Sequence, residues 1–435
     1  MRAGYGISDI TPPLGVELAG YGYYLGRKAE SIMDPLYARA LLLEGDGGEH
    51  SLILSCDLLG MNRAVMRDIE RVAQTYGVPP SRVIAVSVHT HTGPALIWHE
   101  GCGYPDEDYV SSVSGRIAPA IRAAADDLRA VSGIRYGRVA LPGSNAASGA
   151  GKSGRHGFAA ASVTSGYTYN RAIEDGPVDR TARAFVIERE GARPVCVASA
   201  ACHGVFNGCI AQISADFAGA VNRALTEKGY DGIFLNGTCG DIDPTVKDTA
   251  HRDAFAAAIA GAADAAVSDL PPTLAGGEIG WRLRTRVMDD EQRRDAAEAV
   301  ARRDGQDAPT ARVAQIWARE MPDFPERMSG EENAPVRWCA LGGVPIAAYA
   351  FEGFTAIADI IRRECGCDDA WVLGCAGELM GYLPTRDDIE SGSYAARESI
   401  FLYKRMPVLP GEAERLGHDV GTALRDLLNR PREEF

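Results

Sequence analysis

Apolar and polar positions along this chain fall into two kinds of stretch, short β-branched runs and longer segments with helical spacing. DPLYARALLLEG (34–45) and SLILSCDLLG (51–60) read as buried strands, the second ending at Asp57. From Arg63 to Tyr76 the positions Val65, Met66, Ile69, Val72 and Ala73 share one helical face, and VIAVSV (83–88) returns as a strand. YVSSVSGRIAPAIRAAADDL, from Tyr109, is helical again, so strand and helix alternate as in an α/β sheet. AFVIE and PVCVASAACHG supply two further strands, the latter running to His203, and GIFLNGTCGDIDP (232–244) another, followed by Ala-rich helical sequence to Ser268. Gly, Ser and Ala dominate from Gly143 to Ser165, which predicts a long loop over a cleft. Residues 284–334 are dense in both charge signs, with Val300, Val313, Ile316 and Trp317 at helical spacing. A solvated helical hairpin is the favoured reading there, ahead of a lid or a dimer arm. A β-hairpin turns at Gly342 and Gly343, its second strand carrying Glu352 into a helix, and WVLGCAGELMGYLPTRDD is a last strand that delivers Tyr382. The expected fold is a single large α/β mixed-sheet domain over residues 1–435, helices packed on the sheets, with 284–334 as a charged helical insertion.

Composition narrows the function classes. With 46% hydrophobic and 24% charged residues the chain is an ordinary globular one. The start, MRAGYGISDITPP, lacks an apolar signal segment, and no later run is long and apolar enough to span a bilayer, which predicts a soluble, cytoplasmic protein. Ten cysteines without a CxxC pair fit reduced thiols. A formal charge of -14 without a basic stripe opposes nucleic-acid and anionic-membrane partners and leaves a small-molecule substrate, with a homo-oligomer left open.

The chemistry-bearing residues gather at strand ends. VSVHTHTG (86–93) breaks from an apolar run into His89 and His91, whose rings share a side if strand geometry persists. His203, Asp241 with Asp243, Glu352 and Tyr382 each follow another apolar run. In α/β sheets, ligands are handled beyond the carboxyl ends of strands. Two imidazoles and a carboxylate make the ligand set of a catalytic zinc, with positions left for water and substrate, and a phenol can complete the shell or hydrogen-bond an oxyanion. Asp241 and Asp57 are candidates for carboxylates that orient a ligating histidine. Arg171 is placed to clamp a carboxylate or to serve as a loop ion-pair partner. His99 and Trp98 are candidate pocket lining, and Cys202 and Cys239 read as small buried residues.

ITPPLG, AGYG, DPLYARAL, HTHTGP (89–94), Asn170-Arg171, GDIDP (240–244), EGFT (352–355) and GYLPT (381–385) with Tyr394 twelve residues beyond Tyr382 together resemble the catalytic domain of the neutral/alkaline, non-lysosomal ceramidase family, over nearly the whole chain. The resemblance implies that His89, His203, Glu352 and Tyr382 bind Zn2+, that His91 contacts the reacting amide, and that Arg171 and Tyr394 line the substrate head-group pocket. Two departures matter. The family carries Ser before the Pro of its GDVSP-like motif, where this chain has Asp243, and the family's C-terminal β-sandwich, signal peptide and lipid-lifting apolar arm are expected to be lacking. Asp243 then faces a cationic group, hydrogen-bonds a substrate N–H, or carries a proton on a pKa raised by neighbouring carboxylates. The expectation is zinc-assisted hydrolysis of an amide in a small, polar, soluble substrate rather than ceramide, with His91, Tyr382 and Asp243 as catalytic residues. Ester or lactone hydrolysis, acyl transfer, and a non-catalytic small-molecule binding protein are the alternatives.

Overall fold

The computed structural model describes residues 1–23, 26–143, 166–173 and 176–429, so the loop expected between Gly143 and Ser165 lies almost wholly outside the described residues. A nine-stranded mixed sheet organises the chain. Its strands are β1 (Arg2–Asp9), β2 (Tyr37–Glu44), β3 (His50–Cys56), β4 (Val83–Ser87), β5 (Arg129–Ala140), β6 (Thr181–Arg189), β7 (Val195–Ala200), β8 (Asp231–Asn236) and a short β9 (Ser268–Leu270) beside β5. The order is β8-β7-β6-β5-β1-β2-β3-β4, with only the outer pairs β8/β7 and β3/β4 parallel. Each parallel pair needs a crossover, and the intervening sequence is helical as that requires. Helix α1 (Arg63–Gln74) joins β3 to β4, and its first turn is capped by Asn62, which accepts from Val65 N–H at 2.9 Å. Helix α2 (Glu107–Asp126) follows β4, while α3 (Asp216–Glu227) joins β7 to β8 and α4 (Thr249–Ala260) follows β8.

The two ends of this sheet come together. Ile53, Ile84 and Val86 from one end and Phe185, Val197, Ile233 and Leu235 from the other share one buried cluster. The buried Asn236 amide donates to the carbonyls of Val88 and Cys202, both at 2.9 Å, which pins the exits of β4, β7 and β8 to one another. Those exits carry His89, His203 and the GDIDP segment. A bridge between Thr90 and Gly204 continues the contact, and a Cβ at Gly204 would stand 2.6 Å from the His89 carbonyl, so this crossing requires glycine.

A second sheet, β10 (Leu274–Ile279), β11 (Val336–Leu341), β12 (Val344–Ala348) and β13 (Trp371–Leu373), packs on the first through Cys339, Leu341, Ile346, Trp371 and Leu373. Helices α7 (Thr355–Cys365) and α8 (Glu412–Leu428) cover its other face. The β11–β12 hairpin turns at Gly342 and Gly343 as expected, but β12 stops at Ala348 and β13 at Leu373. Glu352 and Tyr382 lie beyond those ends, paired directly in a two-residue parallel ladder of their own. Within residues 284–334 two helices pack together, α5 (Asp290–Asp304) and α6 (Pro309–Glu320). The pair is less solvated than its charge suggested: Ala297, Val300, Val313, Ala314 and Trp317 are buried against Phe401, Leu402 and Met406. The fold class is the expected α/β one, a large mixed sheet with helices packed on it.

Candidate metal centre and active site

His89 ends the strand geometry that was expected to carry both histidines, because its φ is 64°, in the left-handed region. The rings still converge: centroids are 5.0 Å apart for His89 and His91, 4.8 Å for His89 and His203, and 5.4 Å for His91 and His203. His89 Nδ1 lies 2.9 Å from the Leu59 carbonyl and His203 Nδ1 lies 2.5 Å from the Cys239 carbonyl. A carbonyl accepts only, so each Nδ1 carries a proton, and in the neutral ring it is Nε2 that presents a lone pair inward. Both inward atoms stand 3.1 Å from Glu352 Oε2, and Tyr382 Oη is 3.2 Å from His203 Nε2. His89 Nε2 is nevertheless without a hydrogen-bond partner among the described residues. The His89 ring and the carboxylate therefore do not meet in hydrogen-bond geometry, whereas His203 Nε2 is hydrogen-bonded to Glu352 Oε2. Donors about 2.0–2.1 Å from a tetrahedral zinc lie about 3.3 Å apart, so the spacing suits that ion. The donor atoms of His89, His203 and Cys239 also lie within 4.8 Å of one another. Cys239 is a poorer third ligand than Glu352, because its carbonyl holds the outer nitrogen of His203 and its thiol is engaged with Cys375.

Burial opposes charge throughout this site, yet Glu352 outweighs it and lifts His89 to a pKa of about 9. Glu352 is itself held well below the usual carboxylate range, burial being overcome by His89 and His203. His203 is pushed down to about 4 by burial and by Arg171, and His91 falls well below its ordinary value through burial and the two neighbouring histidines. His91 is thus a neutral imidazole, and neither of its nitrogens has a partner among the described residues. It packs edge-on against Tyr21, and a Cβ at Gly20 would come within 2.5 Å of its Nδ1.

Arg171 donates to Tyr382 Oη at 2.6 Å and to the Gly240 carbonyl at 3.1 Å. Asp243 stands 3.4 Å from Arg171 and 3.4 Å from Lys247. Burial would raise Asp243, but those two cations outweigh it and keep the carboxyl below its ordinary pKa. The expectation of a raised pKa for Asp243 is corrected: its neighbours are cations, not carboxylates, so it is no proton carrier near neutral pH. Tyr394 packs edge-on to Tyr382 with centroids 5.9 Å apart and is 42% exposed, at the open side of the site.

No protein-family model and no curated protein matches the chain. Solved structures do. The neutral ceramidase from Pseudomonas aeruginosa aligns with a TM-score of 0.71 at 16% identity, over 99% of this chain and 75% of that one. A ceramidase complexed with C2 gives 0.72 at 16% identity, over 98% and 75%. The fold is that of neutral ceramidases.

Within this ceramidase-like fold two supporting carboxylates act differently from expectation. Among the described residues Asp57 bonds no histidine; it accepts from Tyr37 N–H at 2.8 Å and from Arg39 at 2.9 Å, and so fixes the end of β3. The task expected of it falls to the Leu59 carbonyl. Among the described residues Asp241 bonds no imidazole either. It accepts from Thr355 N–H and from the Asn170 amide, each at 2.9 Å, while its carbonyl accepts from Arg171 N–H at 2.8 Å. It thereby ties the start of α7, just behind Glu352, to the turn that carries Arg171. Sequence reasoning missed Tyr403, whose phenol donates to Glu352 Oε1, and Lys247. Lys247 had a weak signal, four residues after Asp243. Tyr403 had none, since LYKRM follows no strand and matches no motif. His99 lies at the site as the stacking partner of Tyr403, whereas Trp98, 51% exposed, sits above it at the surface.

Proposed function

We propose that the chain is a zinc-dependent hydrolase that cleaves an amide bond in a small, polar substrate, acting through one catalytic domain in the reducing cytoplasm. One observation carries this reading: the inward nitrogens of His89 and His203 each stand 3.1 Å from Glu352 Oε2 beside a third, neutral, unpartnered imidazole. The solved neighbours, both named ceramidases, favour an amide over other acyl compounds.

His89, His203, Glu352 and Tyr382 would hold the ion. When bound, zinc supplies a water of pKa about 7 and a Lewis acid for the carbonyl oxygen. His91 does the proton work. Neutral and free at both nitrogens, it donates one hydrogen bond to a developing oxyanion or takes up a proton for the departing amine. Arg171 steadies the Tyr382 oxygen, and Asp243 balances the guanidinium so that the site does not accumulate positive charge. The reading is tested by elemental analysis of the purified protein and by a screen of N-acyl amines and N-acyl amino acids, with esters and lactones alongside, before and after chelation. Stoichiometric zinc, lost together with amide hydrolysis and restored with it, is the expected result. Protein that binds no metal, or whose hydrolysis survives chelation, overturns it.

A further inference from the structure

One buried contact at the centre has no role in that chemistry. The Tyr403 phenol donates to Glu352 Oε1, the carboxylate oxygen turned away from His203. The side chain is held on every side: it is buried, its ring stacks on His99 at 4.2 Å, and a Cβ at Gly381 would come within 2.9 Å of it. The backbone beside it is strained. Lys404 has a φ of 48°, a conformation that a non-glycine residue keeps only where its surroundings over-determine it.

Glu100 stands 3.3 Å from Lys404 and Glu378 3.9 Å from Arg405, but most of the grip on this turn comes from one segment of the chain. Arg327 donates to the carbonyls of Tyr403 and Lys404 at 3.1 and 3.0 Å, and Trp317 donates to the Arg405 carbonyl at 2.9 Å. Lys404 pairs with Glu320 at 2.6 Å, and Arg405 pairs with Glu332. Three successive carbonyls and two successive cationic side chains are thus gripped by residues 317–332, the end of the charged hairpin and the turn after it. Nothing in that segment reaches the histidines itself.

We propose that Tyr403 is a positioning residue for Glu352 and that residues 317–332 act as the clamp that sets it. The phenol occupies the outer oxygen, fixes the carboxylate's rotamer and leaves Oε2 alone aimed at the histidine pair. Partners behind a ligating group orient it in this way, and their loss typically weakens metal binding about 10–100-fold. A tyrosine that merely filled the core would support folding without touching metal affinity.

The inference rests on the metal reading above, and its test separates the two. Metal-free wild type, Tyr403→Phe, Arg327→Gln and the double variant are titrated with Zn2+ against a chromophoric chelator, with circular dichroism to confirm the fold. Tyr403→Phe should bind zinc about 10-fold or more weakly. Arg327→Gln should lose less, and the double variant should be no weaker than Tyr403→Phe, because the clamp acts through the phenol. Affinity of Tyr403→Phe within twofold of wild type overturns the proposal, as does a double variant whose loss is the product of the two single losses. If Arg327→Gln does not fold, Tyr403→Phe decides alone. A wild type that binds no zinc is a different failure, which removes the metal reading and this inference with it.

Discussion

His89 and His91 differ in how their nitrogens are spent, and that difference separates their tasks. His89 has its outer nitrogen on the Leu59 carbonyl and its inner one 3.1 Å from Glu352 Oε2, whereas neither nitrogen of His91 has a partner among the described residues. His203→Ala and Glu352→Ala should therefore lose zinc, measured as affinity and not only content, since a residual ligand set can hold metal weakly. His91→Ala should keep zinc while turnover falls about 100-fold or more. Metal loss in His91→Ala with retention in His89→Ala would reverse the two roles. Gly20 gives a milder test of the same residue. Its φ of 99° and the 2.5 Å approach of a built Cβ to His91 leave no room for a side chain. Gly20→Ala should displace the imidazole, lowering kcat with zinc affinity unchanged, and normal kcat in that variant would mean that the position of His91 does not matter.

Elements with a clear period were legible in the sequence, and those without one were not. β3, α1, β4 and the α5–α6 pair read directly because each keeps its spacing between sharp stops. β5 does not, since a register shift between Val131 and Gly133 breaks its alternation. Helix α3 lacks a polar face to mark it: Phe217, Gly219, Val221 and Asn222 are all buried. His89, His203 and Glu352 each followed an apolar run that the sequence marks, and the family resemblance grouped them; the Tyr403 contact had no such mark, because it depends on how a distant charged hairpin grips a turn. At the first residue of α3, Asp216 accepts from the backbone N–H groups of Phe217 at 2.7 Å, Asn207 at 2.9 Å and Phe206 at 3.3 Å. Burial outweighs those bonds and raises its pKa to about 6. A raised acid binds its proton more tightly in the native state, so stability is fully present below the unfolded pKa near 4 and falls as pH rises through 6. Wild type should lose up to about 3 kcal/mol between pH 4 and 7 from this group. Asp216→Asn should remove that slope from urea unfolding midpoints, and an unchanged slope would assign the pH dependence elsewhere.

Across the whole molecule, charge and site disagree in a useful way. The chain carries -14 overall, yet the open side of the site presents Arg171 and Lys247, each with about a quarter of its side chain exposed, around the nearly buried carboxylate of Asp243. Charged side chains of both signs at the mouth suit a polar head group and give an acyl chain little to pack against. Asp243 is ionised at neutral pH and positions the guanidinium that in turn touches Tyr382. Replacing it with the neutral hydroxyl that ceramidases carry should free Arg171 to move onto substrate, and so misplace the Tyr382 oxygen. Asp243→Ser should lower kcat/KM on the best polar N-acyl substrate about 10-fold or more, the cost of breaking a buried charge cluster reduced by its partial exposure. It should not create ceramide hydrolysis, because the hydroxyl alone leaves the Arg171 and Lys247 side chains at the mouth. The comparison needs wild type and Asp243→Ser assayed on short- and long-chain ceramides and on polar N-acyl compounds. Efficient ceramide turnover by wild type would sink the polar-substrate reading, and unchanged kcat/KM in the variant would reduce Asp243 to scaffold.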